Sequence, residues 1–278
     1  MSQKIYVDSR SRVSGSNEDF EFALPYSITI PEESAMVVDQ VVIPNSFYSI
    51  EEDLNDQIYV FEANFSNSRW RRATVAPGYY DAVTLAPAIK AAMDNGRLLF
   101  SAYSCTYDSI KGRYIIGNPF TTEEEICTIW TREALKEQVP GFGWADFDPS
   151  DLKDACRQIG MVTGDVVSSG TFSGRAPLVM NHAPVLQLHI NLFLKSNSIG
   201  MPATNVGPNN SMTILRRVVM DAPQLSLNVD SFSTMWDQVR LAPQSISSFR
   251  ITLCGFDGRV VNLQEQPWSF SMTIFPRE

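Results

Sequence analysis

The sequence predicts an all-β protein, a jelly-roll β-sandwich with a partly helical insertion. Three observations predict it. Short runs alternate apolar and polar residues, Gly, Pro and Asn turn signals recur between them, and between residues 120 and 165 the style changes to acidic, helix-forming stretches. Many short strands joined by long excursions favour a Greek-key or jelly-roll sandwich over a parallel α/β sheet. The expected organisation is therefore a jelly-roll domain over residues 1–119 and 166–278, with 120–165 as an acidic helical insertion too short for its own core.

Lys4-Ile5-Tyr6-Val7-Asp8 is a β-prone run, and Gly15-Ser16-Asn17 supplies a turn before the alternating Phe20 to Leu24. Pro25 closes that run and Ile28 to Ile30 resumes it. Met36 to Val38 with Val41 to Ile43 reads as a strand buried on both faces, and Gln57 to Phe61 as another strand. After Pro77-Gly78-Tyr79-Tyr80, the spacing of Leu85, Ile89 and Met93, with Ala88 and Ala92 beside them, predicts an amphipathic helix. Thr84 is its expected N-cap, which puts Pro87 in the first turn, and Gly96 is its left-handed stop. Strands over 98–107 and 113–116 flank the turn Asp108 to Gly112.

Inside the insertion, Thr131 caps a helix over 132–139, and Asp148-Pro149 opens a second that runs to Ile159 before Gly160. Strand character returns at 185–194. There Leu186, Leu188, Ile190, Leu192 and Leu194 form a core face, and Val185, Gln187, His189 and Asn191 the opposite one. A loop over 196–210 leads to strands at 212–220 and 225–229. Phe249, Ile251 and Leu253 alternate with polar residues up to an Asp257-Gly258 turn, and Val260, Val261 and Leu263 carry the return strand. Trp268, Phe270, Met272 and Ile274 give the last strand one heavily apolar face.

At 44% hydrophobic and 19% charged, the 278 residues make a globular protein. A net charge of −9 excludes an overall field that draws the chain to DNA or an anionic membrane, so no strong nucleic-acid binding is expected. No run approaches a membrane span, and the N-terminus has no apolar leader core, so folding in the cytosol or nucleus is expected, with no glycosylation at the Asn64 and Asn209 sequons. Cys105, Cys127, Cys156 and Cys254 form no CxxC pair and read as reduced, buried thiols.

Motifs of catalysis are missing. His182 and His189 are the only histidines, and no HExxH, GxSxG, P-loop or dinucleotide fingerprint occurs. Gly170 to Gly174 resembles a hydrolase elbow with its serine, Ser173, one place too late. Glu32-Glu33, Glu51-Glu52-Asp53 and Glu123 to Glu125 lack the ligand spacing of a calcium loop and read as solvated surface or helix N-terminal charge. Arg69-Trp70-Arg71-Arg72 and Arg216-Arg217 are local basic spots that fit a protein–protein contact better than nucleic acid. No catalytic, cofactor-binding or metal-binding residue is assigned, no cofactor is expected, and the chain reads as non-enzymatic.

Two ends of the chain carry an ordered set of segments. The first is Tyr6-Val7-Asp8-Ser9-Arg10-Ser11-Arg12-Val13-Ser14-Gly15, followed by the Asp19-Phe20 strand and a segment around Pro44. The second runs from near Asp237 through Phe249-Arg250-Ile251-Thr252-Leu253 to Phe256-Asp257-Gly258-Arg259-Val260-Val261-Asn262-Leu263 and Trp268 to Ile274. Gly78-Tyr79-Tyr80 before a short helix and Ser196-Asn197-Ser198-Ile199-Gly200 are further shared features, while 120–165 is unmatched. In their order along one chain these segments resemble the penton, or minor capsid, proteins of virophages, Polinton-like viruses and adintovirus-like elements, and the resemblance implies a jelly-roll capsid protein that forms a homopentamer at icosahedral vertices. Its partners would be itself, the major capsid protein and other minor capsid proteins, its location the virion after assembly in the host cytoplasm or nucleus, and its insertion an outward projection. Two other readings stay open: another jelly-roll capsid or cement protein, and a carbohydrate-binding β-sandwich that stacks sugars on Trp70, Tyr79 and Tyr80. A hydrolase on a β scaffold is disfavoured by the two histidines and the missing motifs.

Overall fold

A computed structural model describes residues 2–98, 102–117, 126–138, 155–161, 166–168, 171–173, 185–192, 213–231, 237–255 and 258–276. In chain order its elements are β1 (Gln3–Asp8), a 3₁₀ turn (Ser9–Ser11), β2 (Ser14–Gly15), β3 (Asp19–Ile30), β4 (Ser34–Pro44), β5 (Gln57–Ala63), β6 (Ser68–Thr74), α1 (Ala82–Asp94), β7 (Ser104–Asp108) and β8 (Arg113–Gly117). There follow β9 (Ile126–Trp130), α2 (Arg132–Gln138), α3 (Cys156–Ile159), β10 (Val166–Ser168), β11 (Thr171–Ser173), β12 (Val185–Ile190), β13 (Thr213–Val219), β14 (Leu227–Asp230), β15 (Val239–Leu241), β16 (Gln244–Gly255) and β17 (Ser269–Pro276). Two compact units divide the chain: residues 1–47 with 183–278, and residues 48–182.

The first unit is a two-sheet sandwich with antiparallel pairing throughout its described strands. One sheet runs β1-β17-β4-β14, with β15 also on β4, and the other runs β2-β3-β16-β12-β13. Leaving β2 and β15 aside, the eight principal strands fall in the order 1-8-3-6 in one sheet and 2-7-4-5 in the other, which is the double Greek key of a jelly roll. Alternation decides which side chains meet. Ile5 and Val7 of β1 and Phe270, Met272 and Ile274 of β17 join Phe20, Leu188, Ile251 and Leu253 from the opposite sheet in one core cluster. Each such side chain, fully buried, contributes about 1.5–3 kcal/mol. Trp268 closes one end: its indole stacks on Phe270, meets Phe20 edge-on at 5.9 Å, and donates from Nε1 to the Asn17 carbonyl at 2.6 Å.

The second unit enters the chain between β4 and β12, the third and fourth strands of the jelly roll. Its described strands form the sheets β10-β9-β5-β6 and β11-β8-β7. Leu85, Ile89 and Met93 of α1, spaced as the periodicity predicts, share a core with Ile58, Val60, Tyr114 and Ile129. Thr131 caps α2 as expected, its Oγ1 accepting from the Ala134 N–H at 3.2 Å. The helix expected to open at Asp148-Pro149 is described only at its end, where α3 stops before Gly160 at φ +78°.

Several local expectations are corrected. Helix α1 begins earlier than Thr84, because the Asp81 carboxylate accepts from the N–H groups of Val83 and Thr84 at 2.9 and 2.7 Å. Asp81 is the N-cap, Thr84 completes its capping box, and Pro87 lies inside the helix. Pro25 does not end its strand. β3 continues across it because the pairing with β16 shifts register between Ile246 and Ser248, freeing the chain around Pro25 from the ladder. The return after Gly258 is a loop with one bridge, Cys254 to Val260, although Val261 and Leu263 still pack into the core. The style break at 120–165 does not mark the edges of the compact units: residues 48–119 pack with parts of 126–161 around the second core. Much of 120–165, the 196–210 loop and residues 193–194 lie outside the described residues.

Candidate functional site

The most concentrated polar group lies in the second unit and is generated by strand alternation. In β5, Ile58, Val60 and Glu62 share one face, so the period that buries the first two carries Glu62 inward, to 0% exposure. On the paired strand β6, Arg71 takes the same inward side as Ala73. Arg71 Nη2 donates to Glu62 Oε1 at 2.6 Å and Nε donates to Oε2 at 3.3 Å. The Tyr103 hydroxyl and the Leu98 N–H donate to the carboxylate at 2.7 and 2.8 Å, and Arg69 Nε lies 4.0 Å from Oε2. Burial alone would raise the Glu62 carboxyl, but the hydrogen bonds from Arg71, Tyr103 and Leu98 and the Arg71 charge outweigh it and hold it below its ordinary value. Arg71 also donates to the Met93 and Asn95 carbonyls at 2.7 and 3.1 Å, satisfying the C-terminal end of α1. This is an architectural clasp, because every group in it is used to hold strand to helix.

The first unit offers a surface instead. A cleft of about 660 Å³ opens at the edge formed by β13 and β14, lined by Leu215, Arg217, Val219, Asp221, Val229 and Asp237 among others. Arg216 spans it. Its Nε and Nη2 donate to the Asp230 carboxylate at 2.9 and 2.7 Å, and its Nη1 to the Val38 carbonyl at 2.6 Å, so one side chain of β13 ties its sheet to β14 and β4 of the other. At the opposite edge of the sandwich, β1 passes through the 3₁₀ turn directly into β2. Asp8 accepts there from the Arg10 side chain, which with the Arg10 N–H holds it below the usual carboxylate range. Arg12 donates to the carbonyls of Ser9 and Gly15.

Residues singled out by sequence are mostly absorbed by structure. Of the basic spot at 69–72, Arg71 is the buried clasp, Arg69 donates to the Gly96 carbonyl, and Trp70 packs against Phe61 and Trp130 with ring centroids at 5.2 and 5.3 Å. Tyr79 meets Tyr48 edge-on and the Tyr80 hydroxyl donates to the Ala76 carbonyl, so the three aromatics considered for sugar stacking are engaged within the unit. His189 and Gln187, expected on a polar face, are both buried, with His189 Nε2 3.3 Å from Gln187 Oε1; burial lowers the imidazole's pKa. Burial pushes the Glu51 carboxyl up to about 7. Cys127, Cys156 and Cys254 are buried and Cys105 half-buried, all as free thiols. His182, Glu123 to Glu125, the Asn209 sequon and Gly170 and Gly174 of the elbow-like segment lie outside the described residues. Among the described residues no group of three or more His, Cys, Asp or Glu side chains is placed to hold a metal, and no helix is long and apolar enough to cross a membrane. The clasp and the Arg216 tie escaped the sequence reading. For Glu62 a signal existed: a carboxylate in register with two core positions of a strand.

No protein-family model matches the sequence. No curated protein matches it either. Among solved structures, the chain is similar to the crystal structure of selenomethionine-labelled mavirus penton protein, with a TM-score of 0.47 and 11% identity over 98% of this chain and 99% of that one. At that score and identity the likeness assigns neither residue roles nor assembly.

Proposed function

We propose that the chain is a structural capsid protein of the penton class, a homopentamer that closes the vertices of an icosahedral shell and contacts major capsid subunits. The observation that carries this reading is where the family-like segments fall. Tyr6 to Gly15 runs from β1 to β2, Asp19-Phe20 opens β3, Phe249 to Leu253 lies in β16 and Trp268 to Ile274 leads into β17 and covers most of it. These are neighbouring strands of one jelly roll, brought together by pairings such as Asp8 with Ser269 and Phe20 with Ile251. The family-like residues at the two ends of the chain therefore build one continuous part of a fold suited to capsids, while Gly78 to Tyr80 belongs to the second unit, and the described polar clusters serve architecture.

A ring of five needs a heterologous interface, in which one patch of a subunit meets a different patch of the next. Native mass spectrometry with negative-stain averaging tests the reading. The expected species is five times the 31.1 kDa chain, with five-fold class averages. A trimer would overturn the vertex role in favour of another capsid or cement role. A persistent monomer that binds sugars on a glycan array would overturn it in favour of a carbohydrate-binding sandwich.

A further inference from the structure

Strand β12 is buried on both faces, and the face turned away from the sandwich core carries a histidine. Leu186, Leu188 and Ile190 point into the core, so alternation puts Gln187 and His189 on the outer face. The register sets them opposite Cys254 and Thr252 of β16, and Gln187, His189, Thr252 and Cys254 are 6%, 2%, 4% and 1% exposed. His189 Nε2 lies 3.3 Å from Gln187 Oε1, an acceptor, so Nε2 carries the proton and Nδ1 is the bare nitrogen. Nδ1 has no hydrogen-bond partner among the described residues. A second N–H at that position would be a buried donor on a buried cation.

The charges on this face oppose a proton there. On one side β13 brings Arg217, opposite Gln187, and on the other β16 brings Arg250 beside Thr252. No aspartate or glutamate occurs between Asp165 and Asp221, or between Gln244 and Gly255, so neither β12 nor its two neighbours contain a counter-ion. The next strand, β3, carries two. Asp19 lies beyond Thr252 and is taken up by the Arg250 guanidinium and the Thr252 hydroxyl, at 2.7 and 2.9 Å; Glu21 accepts from the Ser248 hydroxyl at 2.8 Å. The ladder is irregular at the same place, because the pairing of β12 with β13 shifts register between Leu188 and His189. We infer that His189 is an acid trigger of the jelly-roll unit: a proton taken from solvent at Nδ1 leaves a buried imidazolium with neither acceptor nor counter-ion, and the β12–β13 pairing opens at its bulge to release it. The inference goes beyond the vertex reading and does not depend on it, since it concerns one unit of one chain.

Burial sets this imidazole below its ordinary value, so on acidification the unfolded chain takes the proton first. Stability is therefore full above the unfolded pKa of about 6.5 and falls as pH drops from there to the folded value, by about tenfold in the folding constant per pH unit. Urea unfolding from pH 8 to 5 compares the wild type with His189→Gln and His189→Leu. Glu51, Glu62 and Asp19 titrate in all three proteins, so the difference between wild type and variant isolates His189. The expected result is a wild-type folding constant that falls about tenfold more per pH unit below about 6.5 than that of either variant. Amide hydrogen exchange of the wild type should lose protection in β12 and β13 before β1 and β17. Equal slopes in the three proteins, a wild type that gains on the variants as pH falls, or protection lost together in all four strands would overturn the inference. Should neither variant fold, an NMR titration of the wild-type imidazoles decides, with His182→Gln separating the signals of the two histidines. A His189 that protonates in the folded protein at or above about 6.5 overturns the trigger, and one that protonates below it supports it.

Discussion

Replacing Arg71 by alanine removes the nearer cation of the buried clasp and leaves the Glu62 carboxylate, fully shielded from solvent, with Tyr103, the Leu98 N–H and the more distant Arg69 Nε at 4.0 Å. Breaking a buried ion pair from one side costs about 3–5 kcal/mol. The loss here is expected at the upper end, because the Met93 and Asn95 carbonyls of α1 lose their donor as well. A drop in melting temperature on the order of 10 °C follows for a unit of this size. The pH dependence is the sharper readout. In the wild type the Glu62 carboxyl is held below its unfolded value, so its contribution is present above the unfolded pKa of about 4.3 and is lost as pH falls through the folded value. In Arg71→Ala the burial that already opposes ionisation wins, the folded pKa rises above the unfolded one, and acidification from pH 8 toward 5 restores stability as Glu62 becomes neutral. Urea unfolding at several pH values, followed by tryptophan fluorescence, measures both slopes. The double variant Glu62→Leu/Arg71→Met should recover most of the loss, since an apolar pair carries no desolvation cost. An Arg71→Ala protein within about 1 kcal/mol of wild type at pH 8, or one that loses stability on acidification in parallel with it, would refute the reasoning that this pair is buried and charged.

Three further outcomes follow from the same structure. Trp268→Ala removes an indole that is 3% exposed, stacked on Phe270 and bonded to the Asn17 carbonyl, and is expected to cost about 3–5 kcal/mol by chemical denaturation. Gly15→Ala, at φ +94°, drives a methyl group into the Asp19 carbonyl and should prevent β2 from pairing with β3, whereas Gly112→Ala, at φ +63° with open space around it, should cost only about 1 kcal/mol; comparable melting temperatures for the two would contradict this. Glu51→Gln should melt above wild type at pH 8. Because burial raises the Glu51 carboxyl to about 7, its penalty grows as pH rises from the unfolded value of about 4.3 through that value, so the advantage of the amide should vanish near pH 5.

Residues whose environment is decided by their neighbours in the chain were legible before folding. Period-two alternation in Phe249 to Leu253 and Trp268 to Ile274 was enough to place them in strands with an inward apolar face, and the spacing of Leu85, Ile89 and Met93 was enough to fix the buried face of α1. Gly96, at φ +68°, ends that helix as its position predicts. Features that depend on partners far away in the chain emerged with strand pairing. Nothing local to Asp8 indicates that it pairs with Ser269, and nothing local to His189 indicates that the polar face of its strand is buried too. The same holds for Arg71, one of three arginines within four residues, which became the buried one because β6 pairs with β5 in a register that sets it opposite the buried Val60, from where it reaches diagonally to Glu62. The boundary at residue 48 also follows from core membership, not from any change in composition, since apolar strands lie on both sides of it. Alternation is a property of the chain and can be read along it, whereas register and burial on the second face arise only when another strand arrives.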